Sequence, residues 1–374
     1  MREPLVIVGG GVAGATAGIL LARAGRRVLL IERERMARAK VCGEFLSCAA
    51  YDYLCGLGLD PAALGALPIN ALRLASGQMQ VAVALPFTGW SLPRDVLDEA
   101  LLQRAAEAGA DIRRGIMVRT LLNAECSRLA VDGLGEIEAD AVFLASGKHD
   151  LRGVGRPMHG VHDLIGLKSY FNLTHDASQT LNNHIELFLF AGGYAGLQLV
   201  GPNRANLSLL VSQSRFAAAR QDWFTLLDEI CAENVMLGSR LSDALPETDQ
   251  PRTIFRLPFG FRHRPDGNPH IFRLGDQMAC MPSFAGDGMS IALHSAVRAT
   301  ETYLAGNHAD GYHTAMRRDL TSQFLWGRIL SCLISTGIGR HALISAASYL
   351  PAMMPALARF TRLDIACMNR VQLV

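Results

Sequence analysis

The chain has 374 residues, half of them apolar and 19 % charged, with a formal net charge of +2. This excludes an intrinsically disordered chain and leaves ample material for two or three lobes with buried cores. The near-neutral balance, with no lysine-rich run, argues against a nucleic-acid partner, which needs a concentrated basic surface. The eight cysteines, at 42, 48, 55, 126, 231, 280, 332 and 367, form no CxxC pair and no metal-ligand spacing with histidine. Neither a disulfide framework nor a metal site is expected. A strand signal already begins at Leu5, which leaves no room for a signal peptide, so the expected location is cytoplasmic.

Leu5 to Val8 is an apolar run opening into Gly9-Gly10-Gly11-Val12-Ala13-Gly14. A helix-compatible stretch, Ala15 to Ala24, closes at Gly25, and Val28 to Ile31 is a second strand ending at Glu32. This strand–turn–helix–strand unit places GxGxxG where a dinucleotide-binding turn belongs. Gly9 permits the tight turn, Gly11 lets backbone approach a pyrophosphate, and Gly14 lets helix and strand pack closely. The N–H groups at the helix start, with Val12 and Ala13, attract the pyrophosphate. Glu32 can accept hydrogen bonds from an unphosphorylated ribose, which favours FAD or NAD over NADP here.

A basic loop follows, then Lys40-Val41-Cys42-Gly43-Glu44, and Ala49 to Leu57 reads as a short helix. Residues 71–85 alternate apolar and polar across Ser76-Gly77, a hairpin signal that marks a visit to a second lobe. Asp95 is the expected N-cap of a helix running to Ala108, ahead of strands at Ile116–Leu122 and Ile137–Leu144. The second strand ends at Ala145-Ser146-Gly147, a small-residue turn where a doubly wound sheet binds ligands. Residues 161–260 read as an antiparallel sheet. Its candidate strands are 165–173, 184–190, 197–200, 206–211 and 253–259, with turns at Gly192–Gly196 and Pro202-Asn203, and one helix over 216–233. His184, Glu186, Tyr194 and Gln198 are its polar candidates for a substrate face. Ile271–Leu274 leads into Gly275-Asp276, and Pro282 precedes Gly286-Asp287-Gly288-Met289 and a helix over 290–304. This second glycine-rich helix start offers approachable backbone, and Asp276 can bind a sugar-alcohol chain. The tail, 312–374, reads as apolar helices. Its most apolar part, Ala342 to Ala358, contains Pro351 and Pro355 and is too short and too interrupted for a transmembrane helix, and it suits either packing or peripheral membrane contact.

The N-terminal GxGxxG with Glu32-Arg33, a central Arg94 before a helix, and the late Gly275-Asp276…Pro282…Gly286-Asp287-Gly288 stand together. This set resembles the FAD-dependent superfamily of aromatic hydroxylases, flavin-dependent halogenases and geranylgeranyl reductases, over about residues 1–310. The resemblance implies an α/β fold: a Rossmann-like FAD-binding domain with an inserted antiparallel-sheet substrate domain and a helical C-terminal tail. The FAD-binding parts fall at 1–70, 93–160 and 261–310. The substrate parts fall at 71–92 and 161–260, and the tail is 311–374. It further implies that Gly9, Gly11, Gly14 and Glu32 hold the ADP half of FAD, with Arg33 along the adenosine and Val118 at the adenine. Arg94 would lie near the flavin phosphate and ribityl chain, Gly147 in the second turn, and Asp276 on the ribityl chain. Gly286, Gly288 and Met289 would face the flavin's pyrimidine end.

The departures bear on the reaction. The hydroxylases' Asp-Gly motif, linked there to both FAD and NADPH, reads Ser146-Gly147 here, which argues against direct NADPH use; the expected electron source is NADPH or NADH, or a partner reductase. The halogenases' Trp-x-Trp-x-Ile-Pro motif is missing. Lys40-Val41-Cys42-Gly43 looks most like the geranylgeranyl reductases. The first expectation is a monooxygenase acting through a flavin C4a-hydroperoxide on an apolar or aromatic, polyketide-like molecule. The alternatives are an ene-reductase of an isoprenoid or polyene, with Cys42 near the flavin or substrate as proton donor, and a non-catalytic FAD-binding partner protein.

Overall fold

The computed structural model describes residues 2–123, 127–156, 163–281, 284, 286–350, 357 and 359–363. Four strands of its first sheet, Arg2–Val8, Val28–Glu32, Asp111–Arg114 and Gly135–Leu144, run parallel, and Ile271–Arg273 continues the parallel set. Antiparallel Arg128–Val131 and Val118–Asn123 extend the opposite edge. The central strand is apolar over Leu5–Val8, where both of its faces are covered. Leu5 and Ile7 pack with residues of the helices Val12–Arg23, Arg94–Glu107 and Gly288–Leu304. Val6 and Val8 face a second core with Val118, Leu121 and Leu129.

The second sheet is ordered Leu164–Asn172, Arg204–Ser212, Gly193–Gly201, His184–Phe190, Leu67–Ser76 and Met79–Ser91, with short strands at its margins. The hairpin of residues 71–85 therefore belongs to it, joined through a parallel pairing with His184–Phe190. Its two faces have different partners. Phe188, Leu197 and Leu207 pack under Trp223, Leu226 and Ile230. Leu74, Leu189, Tyr194 and Leu210 pack against Leu330, Ile334, Leu343 and Ile344 of the helices Thr321–Ser335 and Gly337–Tyr349.

Several local expectations are corrected. Residues 216–233 are not one helix: Arg220 and Gln221 take positive φ, which separates Gln213–Ala218 from Trp223–Glu233. Pro93, not Asp95, is the N-cap of Arg94–Glu107. Gly193–Gly196 is strand rather than turn; a Cβ at Gly193 would stand 2.1 Å from the Leu210 carbonyl oxygen, so the glycine serves close strand approach. The strand expected over 253–259 is only Arg252–Ile254.

Among the described residues no single helix is long and apolar enough to cross a membrane. Thr321–Ser335 and Gly337–Tyr349 meet that test only together, and they are bent by 113°. Leu325, Ile329, Leu333 and Ile338 are exposed on them.

Beneath the first sheet, His263 and His313 stack edge to face with ring centroids 4.5 Å apart, beside Arg273. Burial, reinforced by the Arg273 charge, pulls His263 down from 6.5 to about 4 and His313 to about 2. Below pH 6.5 the unfolded chain takes up these protons and the folded chain resists them, so stability falls as pH drops from 6.5 towards 4. Replacing His263 by Phe is expected to flatten that fall by up to ~1.4 kcal/mol per pH unit. Chemical denaturation at pH 7 and pH 4.5 checks this, and an unchanged slope would refute it.

Candidate active site

The strands ending at Val8, Glu32, Leu144 and Arg273 meet at one cleft, tied by the bonds Gly9 N to Ile31 O, Ala145 N to Val8 O and Leu274 N to Leu144 O, each 2.9 Å. Open α/β sheets bind ligands at such carboxyl ends. A cavity of about 770 Å³ opens there and reaches across to the second sheet.

Gly9 has φ +102°, and a Cβ on it would lie 2.5 Å from the Ala145 carbonyl oxygen. A Cβ on Gly14 would lie 1.9 Å from the Gly9 oxygen, so no side chain fits. Gly11 differs. Its Cβ would meet only the tips of Lys40 (Nζ, 3.3 Å) and Arg94 (Nη2, 3.7 Å), inside the cavity. The helix Val12–Arg23 begins there without a side-chain cap, and Val12 and Ala13 line the cavity. Free helix N–H groups, a bare backbone and two cations fit a pyrophosphate. Both cations are held by Asp98: Arg94 donates through Nε and Nη2 at 3.0 Å, and Lys40 Nζ stands 2.7 Å away. Burial alone would raise the Asp98 carboxyl, but the Arg94 and Lys40 charges outweigh it and hold it below its ordinary value.

Glu32 lines the same cavity and accepts from Gly10 N at 2.6 Å and Glu34 N at 2.9 Å. Arg33 Nη2 lies 2.9 Å from His149 Nε2, and Val118 is beside them on the wall. Gly147, Asp276, Gly286, Gly288 and Met289 border the other side. Ser146 donates to the His149 carbonyl at 2.6 Å, while Gln277 Nε2 braces the turn through the carbonyls of Gly147 and His149. Pro282 lies outside the described residues.

The loop Cys42-Gly43-Glu44 stands between this half and the second sheet. Cys42 lines the cavity, accepts at Sγ from Glu44 N (3.3 Å), and is tethered by Asn206 Nδ2 on its carbonyl (3.1 Å). Glu44 is fully buried and adopts φ +60°, a strained value for a residue with a side chain. Its Oε1 receives Arg94 N (2.9 Å), Tyr170 Oη (2.8 Å) and Lys168 Nζ (2.5 Å), while Oε2 has no partner. Burial lowers Lys168 from its ordinary value against the opposing charge of Glu44. A second cavity of about 300 Å³ borders Lys168 and Tyr170 from the other side. Sequence reasoning missed Glu44, Lys168 and Tyr170, although Glu44 follows directly on the Cys-Gly pair.

Of the four polar residues expected on the substrate face, Tyr194 and Gln198 line the cavity. Tyr194 meets Phe284 edge to face, and Gln198 donates to Ser91 Oγ at 2.7 Å. His184 and Glu186 are corrected. In their strand Ile185 and Leu187 line the cavity, so the residues alternating with them point the other way. Glu186 is buried on the opposite face, where Arg73 (2.8 Å) and Arg240 (3.1 Å) neutralise it. His184 bonds the Asn182 carbonyl.

Residues 2–136 match the FAD binding domain family. Over that stretch the chain carries an FAD-binding domain, and it is similar to FAD-dependent oxidoreductases. This flavoprotein is 24 % identical to a menaquinone reductase of Mycolicibacterium smegmatis, over 89 % of this chain and 85 % of that one. It is 30 % identical to Protein FixC of Salmonella typhi, over 54 % of this chain and about half (53 %) of FixC. Its fold matches that of the flavin-dependent brominase Bmp2 with a TM-score of 0.77 at 16 % identity, covering 99 % and 98 % of the two chains.

Two predictions follow from the cradle and the buried pair. Gly11→Ala is expected to fold normally yet bind FAD at least about tenfold more weakly, because its methyl enters the pyrophosphate space; Gly14→Ala is expected to lose the fold through its backbone clash. Flavin titration of the apoprotein with a melting curve separates them, and wild-type affinity in Gly11→Ala would contradict the placement. Lys168→Met strands the Glu44 charge and should cost about 3–5 kcal/mol, most of it recovered in Lys168→Met/Glu44→Gln. Urea unfolding decides this, and a single variant as stable as the wild type would show that the pair carries no such charge.

Proposed function

We propose that the flavoprotein reduces a carbon–carbon double bond in an extended apolar molecule of isoprenoid or polyene type. The observation that carries this reading is the wall of the cavity beyond the cofactor half. Leu72, Leu85, Ile185, Leu187, Ile254 and Leu330 come to it from the sheet, its margin and a C-terminal helix. Such a surface holds a hydrocarbon and keeps water away from the reacting centre. FAD, when bound, supplies hydride equivalents to the substrate.

The chain's own residues do the rest. Gly11, Lys40 and Arg94 fix the cofactor's phosphates, and the apolar wall orients the substrate. Reduction of an alkene also needs a proton, and the Cys42 thiol at the junction of the two halves is the group placed to deliver it. Glu44 N bonds its sulfur, and Asn206 fixes its backbone. The relation to a protein named menaquinone reductase supports the choice, since menaquinone is an unsaturated quinone with a polyprenyl chain. Sequence reasoning placed oxygen insertion into an apolar or aromatic molecule first, and that remains the second reading because the same dry wall would serve it. The electrons come from NADPH, NADH or a partner reductase.

The test is anaerobic. Dithionite-reduced holoenzyme is mixed with menaquinone or a geranylgeranyl substrate, and products are read by mass spectrometry. A product that keeps two added hydrogens in its hydrocarbon chain after the quinone ring has been reoxidised in air is expected, and Cys42→Ala should slow its formation about a hundredfold or more. A product that forms only with O₂ and gains an oxygen atom would overturn the reading in favour of the second.

A further inference from the structure

The C-terminal segment brings one cation into the cavity that neither the cofactor cradle nor the proton-donor loop uses. Arg362 lines the cavity beside Gly286 and Phe45. Its guanidinium lies 4.2 Å from the Phe87 ring and 5.5 Å from the Phe45 ring. Its Nε and Nη1 are buried and have no hydrogen-bond partner. Asp287, whose charge acts on Arg362, has its oxygens committed elsewhere. Oδ1 accepts from Ser47, and Oδ2 accepts from Gln323 and from the backbone of Leu363. These bonds pin the segment to the start of the helix Gly288–Leu304 and so fix where Arg362 points. A desolvated guanidinium held by two aromatic faces, with two donors unused, is costly to keep unless a negative charge arrives.

We propose that Arg362 is the counter-charge for an anion at the Phe45 end of the cavity, next to the N-terminus of the helix Gly288–Leu304. Two sources have that chemistry. One is the negative charge that a reduced flavin carries on its pyrimidine side. The other is an acidic head group, a carboxylate or phenolate, on an otherwise apolar substrate. In both, the guanidinium and the helix N–H groups act on one charge from two sides. The inference rests on FAD occupying its cradle and not on which reaction follows, so it stands or falls separately from double-bond reduction.

The experiment uses the full-length holoenzyme with oxidised FAD. Sulfite adds to flavin N5 and leaves negative charge on the pyrimidine side, so its affinity, read from bleaching of the flavin absorbance, reports the first source. Laurate compared with methyl laurate, read from perturbation of the flavin spectrum, reports the second. Arg362→Gln is expected to weaken sulfite, or to abolish the preference for laurate over its ester, by about tenfold or more. Arg362→Lys should recover most of the loss. FAD content and Tm show that the fold is intact. Loss of sulfite affinity alone assigns the anion to the flavin, and loss of the laurate preference alone assigns it to the substrate. If Arg362→Gln changes neither, the proposal is wrong. Should that variant fail to hold FAD, the wild type decides: an enzyme that neither binds sulfite nor distinguishes laurate from its ester has no anion site here.

Discussion

The close approach of backbone to backbone at Gly9, Gly14 and Ala145 governs the architecture. With a Cβ at Gly14 only 1.9 Å from the Gly9 carbonyl oxygen, and one at Gly9 only 2.5 Å from that of Ala145, three elements meet with no side chain between them. This contact sets the first helix start against the ends of two parallel strands. It leaves the bare amides at Gly11 facing the cleft, where Lys40 and Arg94 supply positive charge. Their shared partner Asp98 holds both in place, so the charge is fixed before any ligand arrives. A site organised in this way need not reorganise when a pyrophosphate enters.

The second sheet solves a different problem. Its two faces are both buried, one under the helix Trp223–Glu233 and the other against the C-terminal helices and the cavity. Alternation along each strand therefore sorts residues into core and cavity wall rather than into core and solvent. This explains how Glu186 is buried yet has no part in the site. It belongs to the face where Arg73 and Arg240 neutralise it, while its neighbours Ile185 and Leu187 form the wall.

Between the two halves lies the loop with Cys42 and Glu44, where strain and buried charge coincide. Glu44 combines a left-handed backbone with a carboxylate that receives three donors on one oxygen. Local strain of this kind persists only where surrounding structure over-determines it. Here that structure comes from both halves at once: Arg94 from the cofactor side, Lys168 and Tyr170 from the second sheet.

The cofactor half was legible in the amino-acid order because each of its parts is local. A turn glycine, a helix start and an acidic strand end are neighbours in the chain, and their chemistry follows from backbone geometry alone. The hairpin of residues 71–85 was legible for the same reason, since its alternation and turn lie within one short stretch. Side-chain direction in the second sheet was not, because a strand buried on both faces carries no polar alternation to show which side is which. The partners of Glu44 were hidden by distance, with Tyr170 standing 126 positions away. The place of Arg362 depended on Asp287 binding the chain at Leu363, a contact between remote segments. The sequence by itself thus determined a glycine-rich turn built for a dinucleotide, and the expectation of FAD came with the resemblance that this turn and the late glycine-rich helix start carry. Only the tertiary structure decided what faces the chamber beside it, because that depends on pairing register and packing between segments far apart in the chain.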